Sequence, residues 1–264
     1  MKVCIVGTSH ASCLFAAWIN ISDKYPNTSI SFYFSGGGYF DKFEVDVKKR
    51  VLTISDDSIR QRFVQLSGGE GSVNLEDFDI CVIVGGFFYL PIGRLAELGD
   101  NSSARFSQGV KNSAAIDLFS NIHVAGLIPK IRSISNIPIF LIHDPFQTLE
   151  STRPTQEMVN PFEKFDYERG IDLLNNAVLL SQGVRMLLQP SETIEAPYFS
   201  KREFALGRRK ATQAEIDAGH VGEFVDDNHH LNTTYGELRL KRLFDETQKS
   251  HSEFESALSS KAAP

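Results

Sequence analysis

Apolar residues along the chain fall into two alternating patterns. Val3–Val6, Ser29–Phe34, Asp79–Val84, Ile137–Ile142 and Val184–Leu188 are short, largely apolar or β-branched runs. Turn-forming or polar residues bound them, which predicts strands buried in a parallel sheet. Between them the spacing turns helical. Leu14, Trp18 and Ile21 follow the first run and end at Tyr25-Pro26-Asn27. Ile116, Phe119, Ile122, Val124, Leu127 and Ile131 predict one long helix over 114–134, kinked at Pro129. Ile171, Leu174 and Val178 predict a helix over 167–182 with Gly183 as its stop. A C-terminal helix is expected from about Thr234 to Lys249, with a frayed tail beyond Ser250.

The remaining stretches are less regular. Phe43–Val47 and Arg50–Ile54 predict a hairpin turning at Lys48-Lys49. Asp56-Asp57-Ser58 is placed to cap a short helix running to Leu66. Residues 89–111 read as an irregular excursion, broken by Gly93, Gly99 and Asn101-Ser102-Ser103. Residues 149–165, with Pro154 and Pro161, read as a loop or lid.

Strands separated by helices, with glycines at several strand ends, predict a three-layer α/β/α fold around a central parallel sheet of about five strands. The 264 residues suit one large domain. It is expected to cover 1–250, with insertions near 40–75 and 145–166 and a tail over 251–264. No internal repeat or linker is visible.

The net charge of −6 lacks the basic footprint that nucleic acid or an acidic membrane surface requires, so neither is expected as a partner. Cys4, Cys13 and Cys81 form no CxxC pair and fall in apolar stretches. They predict buried thiols in a reducing compartment, with neither a disulfide framework nor a zinc site. Val3–Val6 is too short for the apolar core of a signal peptide, and no run reaches the ~20 residues of a membrane span. A cytoplasmic location is the expectation. The 20 phenylalanines point to a bulky core.

Candidate chemistry begins where the first strand ends, at Gly7-Thr8-Ser9-His10. Gly7 permits a sharp turn. Ser9 would stand at the mouth of the next helix, near its unbonded N–H groups, as a nucleophile or an anion-binding serine. Its plainer role is a helix cap. Gly36-Gly37-Gly38 and Gly85-Gly86 end the second and third core strands, where backbone can approach a ligand closely. Asp226-Asp227-Asn228-His229-His230 precedes the last helix. Asp227 is three residues from His230, within reach across one turn, so the carboxylate can fix the ring tautomer and leave the other nitrogen as a base. Asp226 with His229 has the same spacing. The plainer role of this histidine pair is a surface loop.

Taken together, Gly7-Thr8-Ser9-His10 after the first strand and Asp227-x-x-His230-Leu231-Asn232-x-x-x-Gly236 before the last helix resemble the SGNH/GDSL hydrolase family. Ile137–Pro145 is similar to that family's strand leading into a proline-containing loop. The resemblance spans roughly 1–145 and 184–250 and implies a flavodoxin-like core. It also implies that Ser9 is the nucleophile, His230 the base and Asp227 its orienting acid. The Ser9 amide and one of Gly36, Gly37 or Gly38 (Gly37 in the middle) would be oxyanion donors. His10, adjacent to Ser9, is expected to point elsewhere on the helix. Two positions depart from the family. Thr8 stands where an Asp usually precedes the serine, and Phe87 stands where an oxyanion-binding Asn is expected. Either another donor, such as the Gly86 amide, Asn101 or Asn112, substitutes, or the enzyme is slow, or it binds without turnover.

The resemblance implies an esterase that removes a small acyl group, such as acetyl, from a carbohydrate-like ester, without metal or organic cofactor. Two alternatives stay open. One is O-acyl transfer to a sugar in polysaccharide biosynthesis. The other is a non-catalytic module cradling phosphate or sugar at the sheet's switch point. Oligomeric state is not legible in the sequence.

Overall fold

The computed structural model describes residues 1–36, 39–67, 71–86, 89–99, 106–148, 167–195, 199–209, 224–225 and 230–261. The core strands are β1 (Lys2–Gly7), β2 (Ser29–Phe34), β6 (Ile80–Val84), β7 (Ile139–Ile142) and β8 (Val184–Leu187). They form one parallel sheet in the order β2-β1-β6-β7-β8. Counting only these five strands, the order is 2-1-3-4-5, the flavodoxin-like winding. In this winding the chain moves outward in both directions from β1. The crevice therefore opens where the C-terminal ends of β1 and β6 lie side by side, with Gly7 opposite Val84.

Alternation along the strands builds two cores. Cys4, Val6, Cys81, Ile83, Leu141 and Met186 face one layer of helices. These are α3 (Tyr89–Gly99), α4 (Gln108–Ser120), α5 (Leu127–Arg132) and α6 (Tyr167–Leu174). Val3, Ile5, Val82, Phe140, Ile142 and Leu187 face the other layer, made by α1 (Ser12–Ile21) and α7 (Thr233–Lys261). The helix α2 (Asp57–Ser67) lies beside β2, with Phe63 in the first core and Leu66 in the second. Asp56 Oδ1 accepts from the amides of Ser58 and Ile59 and so caps α2.

The hairpin is present as β3 (Phe43–Asp46) and β4 (Val51–Ile54). A two-residue strand, β5 (Val73–Asn74), extends it to three antiparallel strands. Short ladders β9 (Ile194–Glu195) with β10 (Phe199–Ser200), and β11 (Arg208–Arg209) with β12 (Phe224–Val225), come after the main sheet in the chain. Phe32, Phe40, Phe43, Phe63, Phe140, Phe146 and Phe199 are fully buried, so much of the phenylalanine content is core. The three cysteines are buried thiols. Among the described residues no helix is long and apolar enough to cross a membrane.

Several expectations are corrected. Residues 89–99 are helical: Ile92, Leu95 and Ala96 bury one face, and Pro91 falls in the first turn, where its missing N–H costs no helical bond. The long helix expected over 114–134 is two. It starts earlier, at Gln108, and stops at Ser120, where Ser120 Oγ and Asn121 Nδ2 both donate to the Asp117 carbonyl. Pro129 then lies in the first turn of α5 rather than in a kink. The C-terminal helix runs to Lys261, past its expected end. Gly7 makes no sharp turn. It is the last residue of β1, and a Cβ there would lie 2.7 Å from the Val84 carbonyl oxygen. The expected lid over 149–165 lies outside the described residues.

The two chain ends meet on one face of the sheet. A Cβ at Gly236 would lie 2.1 Å from the Cys13 carbonyl oxygen and 2.9 Å from Ala17 Cβ. The backbones of α1 and α7 thus touch at this glycine. Gly236→Ala should gain about 1 kcal/mol of helix propensity. It should lose about 1–3 kcal/mol to forced separation of the helices. A net loss of stability in urea unfolding is expected, and unchanged or raised stability would contradict the contact.

Candidate active site

Thr8 continues β1 by donating its amide to the Val84 carbonyl at 3.0 Å. The chain then enters a 3-10 turn, Ser9–Ala11, that leads straight into α1. Neither Thr8 nor Ala11, at the two cap positions, makes a side-chain capping bond. The Ser9 hydroxyl does something else: its Oγ lies 2.8 Å from His230 Nε2. These residues are 221 positions apart.

His230 is held through the residues C-terminal to it. Leu231 is buried in the second core. Asn232 is the N-cap of α7: its Oδ1 accepts from the Tyr235 amide at 3.1 Å. Its Nδ2 donates to the carbonyls of Glu203 and Leu206 at 2.8 and 2.9 Å, and its own amide donates to the Phe204 carbonyl at 2.7 Å. One side chain therefore starts the helix and ties the preceding segment to a neighbouring loop. Two turns on, the buried Arg239 donates to the Leu188 carbonyl and, at 3.1 Å, to the Tyr235 hydroxyl. This fastens α7 over the exit of β8.

Two further residues occupy the site that the sequence did not place there. His10 does not point away. Its ring centroid is 4.8 Å from that of His230, with the planes tilted by 32°. The reason is local: residues 9–11 form a 3-10 turn rather than α-helix, which changes the direction of the His10 side chain. His10 Nε2 is 3.3 Å from Asp144 Oδ1. Asp144 arrives on the exit of β7, next in the sheet to β6. The preceding residue anchors it, since His143 Nδ1 donates to the Asp144 carbonyl at 2.5 Å. The Tyr167 hydroxyl donates to His143 Nε2 at 2.6 Å while accepting from the Gln189 amide at 2.9 Å. Burial pushes the His143 pKa down to about 3, and Arg239 adds to this. His143 is therefore a neutral structural ring. The strand-end pattern His143-Asp144 next to a switch point was the signal available in the sequence.

Gly85 sets the spacing. Its φ is +89°, and a Cβ would meet Thr8 Oγ1 at 2.2 Å and Asp144 Oδ1 at 3.1 Å. Gly86 follows with φ +73° against the Phe40 ring. On the β2 side, the Tyr39 hydroxyl donates to the Gly7 carbonyl and accepts from the Ser35 amide at 3.0 Å, which fixes the start of the glycine loop. Gly36 faces open space. Gly37, Gly38, Phe87, Asn101, Asp226, Asp227 and His229 lie outside the described residues. Asn112 takes a hydrogen bond from Gln108 on α4, and no contact brings it to Ser9 among the described residues.

No family model and no curated protein matches the chain. Solved structures similar to it include the lipase Lip_vut3 from a goat rumen metagenome, with TM-score 0.41 and 10% identity over 93% of this chain and 96% of that one. The periplasmic domain of a lipopolysaccharide acetyltransferase from Salmonella ser. Paratyphi A gives TM-score 0.44 and 13% identity over 93% and 83%. TesA gives TM-score 0.29 and 9% identity over 76% and 89%. These scores and identities are low, and function has to be read from the site's own residues.

Two outcomes test this geometry. Gly85→Ala should destabilise the protein by about 2 kcal/mol, through a strained φ and the Thr8 contact. Thr8→Ala in the same chain should restore part of the loss. A double-mutant cycle in urea measures the coupling, and additive losses would contradict the contact. Stability should also fall on acidification. His143 has its pKa depressed in the fold, so its contribution is full above the unfolded value of ~6.5 and is lost as pH drops towards ~3. The expected slope is up to ~1.4 kcal/mol per pH unit in that window, and it should flatten in His143→Gln.

Proposed function

We propose that this protein is a serine esterase or O-acyltransferase of the SGNH type, working through an acyl-enzyme on Ser9. The observation that carries this is the 2.8 Å approach of Ser9 Oγ to His230 Nε2 across the two ends of the fold. A neutral His230 with its proton on Nδ1 accepts the Ser9 proton at Nε2 as Oγ attacks an ester carbonyl. Asp227 is assigned to orient Nδ1. The oxyanion falls to amides at the strand ends. The Ser9 N–H opens the 3-10 turn, where amides have no intrahelical partner. Gly37 and Gly86 are assigned as the other donors. The intermediate then collapses, the alcohol leaves with the proton from His230, and Ser9 keeps the acyl group. A water or a sugar hydroxyl, deprotonated by the same His230, takes the acyl group in the second half. A small acyl group, such as acetyl, on a carbohydrate is the proposed substrate class.

A fluorophosphonate probe tests the mechanism. Covalent labelling at Ser9, absent in Ser9→Ala and slowed at least 100-fold in His230→Ala, is the expected result. A folded wild-type protein that takes no label between about pH 6 and 9 would overturn the enzyme reading in favour of a binding module. With acetyl esters, release into water separates the esterase from a transferase, which would need a sugar acceptor.

A further inference from the structure

The proposed reaction leaves His10 and Asp144 unused, although both are built into the same space. The His10 ring lies against the ring of the base, 4.8 Å between centroids. Asp144 Oδ1 lies 3.3 Å from His10 Nε2, and the two side chains are only 20% and 13% exposed. A carboxylate at this distance, largely out of water, favours the protonated form of an imidazole. A like charge on the neighbouring ring would be opposed, more strongly than in bulk water.

Thr8, Ser9, Cys13, His143 and Tyr235 are among the described groups facing the pair. Tyr167 bonds to His143, and Arg239 to Tyr235, one step further out. Burial keeps His143 neutral, pushes the Tyr167 hydroxyl up and pushes the Tyr235 pKa up to about 12. Through the neutral range the fixed charge among these groups, besides Asp144, is therefore the Arg239 guanidinium, of the same sign as protonated His10. Asp227, assigned above to His230 Nδ1, favours protonation of His230 equally with and without His10.

We infer that the Asp144–His10 pair is a positioning and charge-setting device for His230: the ionised pair packs the base's ring beside Ser9 and discourages its protonation. His230 then stays unprotonated, and able to accept the serine proton, at lower pH than it would without protonated His10 beside it. His10 acts through His230 and is a positioning residue. The effect on rate rests on the proposed roles of Ser9 and His230; the coupling between the two rings does not.

The test uses the full chain with 15N-labelled histidines and follows the ring nitrogens by NMR against pH. In the wild type, His10 should titrate at higher pH than His230. In His10→Gln the His230 midpoint should rise by about one pH unit, because a positive neighbour has been removed. The acidic limb of Ser9 labelling should move up by the same amount, while the labelling rate at its high-pH plateau changes less than about 10-fold. In Asp144→Asn the His10 midpoint should fall. An unmoved His230 midpoint in His10→Gln, or a wild-type His10 that titrates below His230, would overturn the inference. Should His10→Gln fail to fold, the wild-type order of midpoints and Asp144→Asn decide it. A wild type that takes no label but shows the ring coupling would defeat the proposed function alone.

Discussion

Everything at the site depends on α7 lying directly on α1. Ser9 is the first residue of the turn that leads into α1, and His230 lies three residues before α7 begins. Contact at Gly236 brings the helix backbones together as closely as peptide groups permit. Burial of Leu231, Tyr235, Leu240, Leu243 and Phe244 holds them there, each worth about 1.5–3 kcal/mol when fully removed from water. The hydrogen bonds of Asn232 and Arg239 add about 1 kcal/mol apiece, but they fix register, which burial does not. A non-directional force thus brings the chain ends together, and directional bonds choose the 2.8 Å contact.

The sheet supplies the other half of the site. Because β1 lies between β2 and β6, the exits of three strands converge around Ser9. The exit of β7 adds Asp144 from one strand further out. The exit of β1 contributes a hydroxyl and the His10 imidazole, and the exit of β7 a carboxylate. The segment before α7 contributes the second imidazole. Polar groups are gathered at one end while the strands themselves remain apolar, so the site costs the core little.

Strand positions are legible because strand burial leaves a contiguous apolar run. That run matches the strand to the residue at Ser29–Phe34, and the other core strands to within two residues at either end. The helix over 89–99 is hidden because Gly93 and Gly99 look like breaks; the Ile92, Leu95, Ala96 spacing is present but outweighed. The split between α4 and α5 turns on Ser120 and Asn121 bonding to one carbonyl, a local competition that apolar periodicity does not register. Of the candidate residues, Ser9 and His230 lie 2.8 Å apart. His10 is misplaced when an α-helical direction is assumed for a 3-10 turn. No rule of spacing joins Asp144 to His10, since their 3.3 Å contact exists only after β1, β6 and β7 are in register.

Thr8, before the serine, is coupled in space to Gly85 and Asp144. An acidic residue is expected just before the serine, and Thr8 stands there instead. The structure has a carboxylate at this end of the sheet all the same, on Asp144, reached from β7 rather than β1. The position between them is Gly85, whose φ of +89° and 2.2 Å hypothetical contact with Thr8 Oγ1 strain any larger residue. Thr8, Gly85 and Asp144 therefore form one arrangement: a neutral residue before the serine, a glycine beside it, and a negative charge at the exit of β7. That charge has a partner of its own. At 3.3 Å from His10 it answers to a second imidazole, and the first, His230, keeps its Nε2 for the serine.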